Sequence, residues 1–390
     1  MDKRSFIQAA TAVVFLGTTR AALAQPKPFK VGLILPLTGP QKSPVGRQIE
    51  AGVRLWIAQH GDTVAGRKVE LVVRDDASQP DMSRRAAQEL VVTEKVDVLA
   101  GFALTPSALA VAPIATQSQT PQVVMCAASS SITEASPYIV RTSFTLPQVS
   151  VALADWAPKN GINTVVSLVS DYGPGLDGEK FFKERFTGNG GKVLDAIRVP
   201  LRNPDSSPFL QKVRDLKPDA LFVFVPSGVG TALLKQFLER GMDKLGIRLM
   251  ATGDMTDDDQ LNDMGDGALG VVTSYHYSAD HASAANRKFS EDFRKANDGL
   301  RPNAMAVSGF DGMRVIYEAL KKTGGRGGAA LVDAMKGQAF ESPRGPISID
   351  AQTRDIVQNI YLRRVERKGG QLYNVEFDVI KDMKDPGKAK

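Results

Sequence analysis

Residues 120–133 read TPQVVMCAASSSIT, and their interpretation decides the fold. Gln122 to Met125 has the length and composition of a short buried strand. It runs straight into side chains too small to fill a core: Cys126, Ala127, Ala128, Ser129, Ser130 and Ser131. Small side chains leave backbone amides uncovered. In a chain of alternating strands and helices, a strand that ends this way marks the region outside a sheet's carboxyl edge, where such sheets hold ligands. An ordinary polar loop has the same composition, so the surrounding pattern must decide.

Upstream, residues 30–35 form an apolar strand closed by the turn Pro36, Thr38-Gly39-Pro40. Residues 45–59 carry Ile49, Val53 and Trp56 at helical spacing, and 68–74 form a strand ending in Asp75-Asp76. A helix over 82–95, a strand over 96–100 and a helix over 106–119 lead back to the opening stretch. Downstream the alternation restarts. Helices are predicted over 147–160, 175–189, 207–217 and 230–240, with strands over 164–169, 193–199, 220–225, 247–251 and 270–274. Helices over 283–297, 304–322 and 329–336 follow, then strands over 347–349, 356–365 and 375–380, and a frayed tail from Asp382.

Two blocks of alternating strands and helices imply an α/β protein of two doubly wound parallel-sheet lobes, each sheet covered on both faces. If the late helices complete the first block and the last strands the second, the chain crosses between lobes near 143, 276 and 347. Lobe I is then 28–143 plus 277–347 and lobe II 144–276 plus 348–385, joined by a three-strand hinge.

The first 24 residues read as a secretory signal. Lys3 and Arg4 precede a short apolar run, and Ala22-Leu23-Ala24 supplies small residues for cleavage before Gln25. That run is shorter than the roughly 20 residues needed to span a bilayer. Without the signal, 46 basic and 42 acidic residues remain, a net charge of +4. The basic residues are scattered and not interleaved with aromatics, which argues against a nucleic-acid partner. Cys126 is the single cysteine, so no intrachain disulfide can form.

Enzyme signatures are scarce. His60, His276 and His281 are the only histidines, and the last two stand five apart, off a common helical face. There is no GxSxG elbow. Gly228-Val229-Gly230 follows a strand and opens a helix, but Leu233 stands where a dinucleotide fingerprint needs its third glycine. Asp257-Asp258-Asp259 lacks calcium-loop spacing and reads as a helix start or a solvated face. No metal or cofactor is expected.

Small-ligand chemistry is better placed. Thr105 follows the strand 96–100 at a helix start, where its hydroxyl and nearby amides suit an anion. Ser129 follows the next strand in the same way. In the second block Tyr172 and Asp254 follow strands, offering an aromatic face with a hydroxyl and a fixed negative charge. Each also fits a cap, a turn or packing; together, at strand ends in two lobes, they suggest a ligand cleft.

With these residues in view the chain resembles the periplasmic branched-chain amino-acid binding proteins, type I solute-binding receptors of ABC importers, over residues 30–380. The marks are Leu37-Thr38-Gly39-Pro40, Asp75-Asp76, Gly101 to Thr105, Ala127-Ala128-Ser129, Arg141, Asp171-Tyr172-Gly173, Pro218-Asp219 and Gly253-Asp254. The resemblance implies a periplasmic monomer that closes over an apolar amino acid and delivers it to an inner-membrane permease. It assigns the carboxylate to Thr105 and the Ala127-Ala128-Ser129 turn, the ammonium to Asp254, and an aromatic contact to Tyr172. The side-chain pocket is drawn from Leu37, Val45, Phe102, Ala103, Leu104 and Met305. Pro226-Ser227 stands where many members have a second tyrosine, Ser129 replaces a threonine, and Asp254 is a methylene shorter than the usual glutamate. Relatives that take aromatic acids, amides or urea make an aromatic carboxylic acid, amide or urea-like solute the alternative, and a periplasmic enzyme on the same scaffold a distant one.

Overall fold

The computed structural model describes residues 26–39, 41–201 and 205–388. The predicted signal and its cleavage site, and Pro40 of the first turn, lie outside the described residues. In chain order the first sheet takes β1 (Phe29–Leu35), β2 (Thr63–Val64), β3 (Arg67–Asp75), β4 (Val98–Gly101), β5 (Gln122–Val124) and β6 (Ile139–Arg141). Their spatial order is β2-β3-β1-β4-β5-β6. All pairs are parallel except the β2–β3 hairpin. The connecting helices are α1 (Gln48–His60), α2 (Pro80–Val92) and α3 (Thr105–Ser118).

The strands are apolar on both faces because helices cover both. Val31, Leu33 and Leu35 share one core with Ile49 and Val53 of α1, whereas Ile34 points to another with Leu90 of α2 and Val111 of α3.

The second unit runs α4 (Leu146–Lys159), β7 (Thr164–Ser170), α5 (Gly173–Gly188), β8 (Lys192–Val199), α6 (Ser207–Leu216), β9 (Ala220–Phe224), α7 (Gly230–Glu239), β10 (Arg248–Thr252) and β11 (Val272–Tyr275). β7 to β11 are parallel, in the order β11-β10-β9-β7-β8. Phe182 of α5 stacks on Phe222 of β9 with ring centroids 4.0 Å apart. Leu210 of α6 and Leu233 of α7 cover the opposite face.

The chain then forms α8 (Ala284–Ala296), α9 (Ala304–Thr323) and α10 (Gly328–Met335), followed by β12 (Ala339–Ser342), β13 (Gly345–Ile349), β14 (Ile356–Lys368) and β15 (Gln371–Met383). α9 packs along α1, where Gly309 permits contact: a Cβ there would lie 2.5 Å from the Ile49 carbonyl oxygen. The late strands join the second sheet antiparallel, β14 on β11 with β13 and β15 on β14. That sheet is therefore mixed and not wholly parallel. Its last hairpin turns at Gly369-Gly370, both at positive φ, a tight connection that forces antiparallel pairing.

The chain passes from the first sheet to the second after β6, back after β11, and forward again before β12, so Ala339–Ser342 and Gly345–Ile347 pair in the second sheet although the sequence reading groups them with the first. The first passage is tied to the last strands. Arg344 donates to the carbonyls of Thr142 (2.6 Å) and Ser143 (3.1 Å), and Gln358 also donates to Ser143 (3.0 Å).

The tail, read from sequence as frayed, is anchored as far as it is described. β15 extends to Met383, and the Asp385 carboxylate accepts from Ser130 Oγ (2.5 Å) and Thr145 Oγ1 (3.0 Å). Among the described residues no helix is long and apolar enough to cross a membrane.

Candidate functional site

Strand order reverses beside β1 in the first sheet and beside β7 in the second. Open parallel sheets bind ligands outside their carboxyl edges at such points. Here the two edges enclose a small cavity of about 20 Å³. From the first unit come Gln41 and Val45 after β1, Ala103 and Leu104 after β4, and Cys126 and Ala128 after β5. Phe144 and Leu146 come from the first crossing. The second unit adds Tyr172 and Pro174 after β7, Phe224, Pro226 and Ser227 at the end of β9, and Asp254 after β10.

Three of the lining side chains are aromatic: Phe144, Tyr172 and Phe224. Tyr172 lies nearly parallel to Phe224, 5.9 Å between centroids at 22°. Phe144 meets Tyr275 edge-on at 5.0 Å and stacks on His276 at 4.9 Å. Burial pushes the Tyr172 phenol well above its usual range and the His276 imidazole well below, so both are neutral.

The acidic side chain of the lining is Asp254. Asp254, 6% exposed, accepts from Tyr275 OH at 3.0 Å and from Thr252 Oγ1 at 3.1 Å. Burial raises its carboxyl to about 6, with the Tyr275 and Thr252 hydroxyls and then Arg363 pulling the other way. Burial first, then Asp254 and Asp257, pushes the Cys126 thiol up, so it remains protonated.

The acidic run after Asp254 is folded inward, correcting the solvated-face reading. Asp257 and Asp258 are buried. Ser227 Oγ donates to Asp257 (3.1 Å), Asn374 Nδ2 to Asp258 (2.9 Å) and Asn303 Nδ2 to Asp259 (2.9 Å). These partners lie 30 to 116 positions away along the chain, so no local pattern announces them.

The turn that opened the reading sits between the lobes. Ser129 N–H donates to Thr105 Oγ1 at 3.3 Å, while Ser129 Oγ (2.8 Å) and Ser130 N–H (3.0 Å) both donate to Asp177 of α5. Gly173 presses on the same turn: a Cβ there would lie 2.9 Å from Ser129 Oγ. The amides of Leu104 and Ala128 meet no described acceptor.

A sequence profile described as "Periplasmic binding protein" matches residues 28–371. The chain belongs to that family. Leu/Ile/Val-binding protein homolog 6 of Brucella abortus (strain 2308) is 45% identical, over 94% of this chain and 95% of its own. A solute binding protein of an ABC transporter from Rhodopseudomonas palustris BisB5, solved in complex with 3,4-dihydroxybenzoic acid, is 58% identical with a TM-score of 0.90. The match covers 93% of this chain and 99% of that one. A second, from R. palustris HaA2 in complex with p-hydroxybenzoic acid, is 41% identical with a TM-score of 0.90, covering 93% and 100%.

This periplasmic binding protein is thus an α/β solute-binding component of an ABC transporter, the kind of protein that carries a small molecule to a permease. Of the residues named from sequence, Val45, Leu104, Ala128, Tyr172 and Asp254 line the cavity, as does Ala103. Thr105 and Ser129 lie beside it, held by Gly173 and Asp177. Phe102 and Ala127 face the α2–α3 core instead, Met305 is buried in the core shared with α1, and Leu37 packs against that core. Phe144, Phe224, Pro174, Pro226 and Ser227 were not singled out as ligand contacts. Phe224 ends a strand of core residues, where sequence cannot separate a wall from packing. The Gly228-Val229-Gly230 motif also finds its reason here. A Cβ on Gly230 would overlap the Met255 carbonyl, so this glycine lets α7 approach the turn after Asp254.

Proposed function

We propose that this protein is the receptor for a small hydroxylated aromatic carboxylic acid of the hydroxybenzoate class, closing its two lobes over the solute as a monomer and presenting it to the permease. The observation that carries this reading is the cavity lining, which brings the rings of Phe144, Tyr172 and Phe224 together with the carboxyl of Asp254. An aromatic ring suits offset stacking on such walls. A phenolic hydroxyl donates, and Asp254, already fixed by Tyr275 and Thr252, accepts. The solute carboxylate is directed to the first lobe, where the amides of Leu104 and Ala128 and the side-chain amide of Gln41 are donors. Gln41 Oε1 is engaged by Ser78 at 2.6 Å, which turns its N–H groups outward from that bond. The hydroxybenzoates bound by the two R. palustris relatives support the same class.

A branched-chain amino acid is the second reading, favoured by the name of the Brucella relative, and it makes Asp254 the ammonium partner. A micromolar dissociation constant corresponds to about −8 kcal/mol, within reach of a few charge-assisted hydrogen bonds in a dry cleft. A thermal-shift screen over hydroxybenzoates, benzoate and apolar amino acids separates the two. We expect the largest rise in melting temperature with a hydroxybenzoate; a rise with leucine and none with any aromatic acid overturns the proposal.

A further inference from the structure

The tail beyond β15 ends against the turn that follows β5. Asp385, just past the end of β15, is buried, and its carboxylate accepts from Ser130 Oγ at 2.5 Å and from Thr145 Oγ1 at 3.0 Å. Ser130 follows Ala128 in the first-sheet turn. Thr145 stands between Phe144 and Leu146 and caps α4. Ala128, Phe144 and Leu146 all line the cavity, whereas Asp385 does not. Both hydroxyls are buried, and the described residues offer neither of them another acceptor. The rest of the tail keeps Asp385 in place. Gln148 Nε2 donates to the Met383 carbonyl at 2.8 Å, and Gly387 N–H donates to Asp385 at 2.9 Å. Lys388 reaches Thr133 and Asp355, and Asp355 also accepts from Arg141 Nε at 2.6 Å. Arg141 in turn donates to the carbonyls of Ala127 (3.3 Å) and Ser130 (3.4 Å), in the same turn. Gly387 packs so closely that a Cβ there would overlap Ser130 Oγ.

We propose that residues 384–388 are a strap behind the cavity, and that Asp385 is a positioning residue: one carboxylate that holds together two parts of the lining, the turn of Ala128 and the passage of Phe144 and Leu146. The inference rests on the proposed function in taking the cavity as the solute site. Losing the carboxylate leaves two buried hydroxyls without an acceptor, so the two parts separate more readily and the solute is held less well.

Two measurements on the purified protein test it: calorimetric titration with 4-hydroxybenzoate, and the rate at which N-ethylmaleimide alkylates Cys126 with no solute present. Cys126 is the single thiol of the chain and part of the cavity lining, so its alkylation reports how often the cavity opens. We expect Asp385→Ala to weaken 4-hydroxybenzoate about three- to tenfold, the net effect of one hydrogen bond, and to speed alkylation by a similar factor well below the melting temperature. Asp385→Asn, which keeps one acceptor oxygen, is expected to fall between Asp385→Ala and the wild type. Ser130→Ala removes the same bond from the other side, keeps the Ser130 N–H on Asp177, and serves if Asp385→Ala does not fold. Variants that melt lower but keep the wild-type affinity and alkylation rate overturn the strap, since Asp385 then acts on stability alone. A wild-type protein that does not bind 4-hydroxybenzoate overturns the hydroxybenzoate reading instead, and the solute-free alkylation rates still decide the role of Asp385.

Discussion

At the scale of single residues, Asp254 concentrates the polar chemistry of the second lobe. Its two oxygens are fixed by Tyr275 and Thr252, so in the proposed function it meets a solute as a preset acceptor. Asp254→Ala is expected to weaken 4-hydroxybenzoate roughly 10- to 100-fold, the loss of one charge-assisted hydrogen bond, and to leave benzoate nearly unchanged; calorimetry with the pair reads both. Because the Asp254 carboxyl sits at about 6, its ionised form fades as pH falls below that value. Hydroxybenzoate affinity should therefore be lower at pH 5 than at pH 7.5, and the part of that change due to Asp254 should vanish in Asp254→Ala. The same shift acts on stability with the opposite sign. Asp254 and Asp259 are both raised from 3.8 to about 6, so between those values the native protein binds more protons than the unfolded chain and loses stability as pH rises. Asp350, held near 2, acts in the other sense but only below pH 4. Asp259→Asn, which retains an acceptor for Asn303, should raise the melting temperature of the unliganded protein at pH 7, by the equivalent of about 1–3 kcal/mol, and flatten its pH dependence between 4 and 6; an unchanged thermal profile contradicts this.

At the scale of elements, the carboxyl-edge turns do the positioning, and helix α5 closes on them. Asp177 of α5 accepts from Ser129 and Ser130 of the facing lobe and does not line the cavity. Asp177→Ala should weaken every solute by one common factor, roughly three- to thirtyfold, mainly through faster release; a change in the ranking of solutes contradicts an indirect role. Gly230→Ala should destabilise by about 1–3 kcal/mol through overlap with Met255, measured by urea unfolding. Most strands and helices were legible because apolar runs and their Gly and Pro stops are local signals. β2 (Thr63–Val64), β6 (Ile139–Arg141) and β12 (Ala339–Ser342) were not, since runs this short carry little period of their own. Nor was the face of each turn residue: Ala127 joins the core and its neighbour Ala128 the cavity, a division made by the neighbouring helices and invisible in a run of small side chains.

At the scale of the whole molecule, the two-lobe plan followed from repetition of strand, turn and helix. The antiparallel edge of the second sheet and the inward acidic run did not, because both depend on partners distant along the chain, such as Asn303 and Asn374 for the acidic run. In the proposed function the three passages between the sheets act as one hinge, and a solute that bridges the lobes selects the closed arrangement. Small-angle scattering should show a smaller radius of gyration with saturating 4-hydroxybenzoate than without it for Asp177→Ala, whose clasp is removed; equal radii contradict closure by the solute. The central claim, that the cleft holds a hydroxylated aromatic acid, is tested most directly by calorimetric titration of the wild-type protein with 4-hydroxybenzoate and with leucine. Saturable micromolar or tighter binding of 4-hydroxybenzoate with no heat from leucine is the predicted result, and saturable binding of leucine with none of 4-hydroxybenzoate is the result that contradicts it.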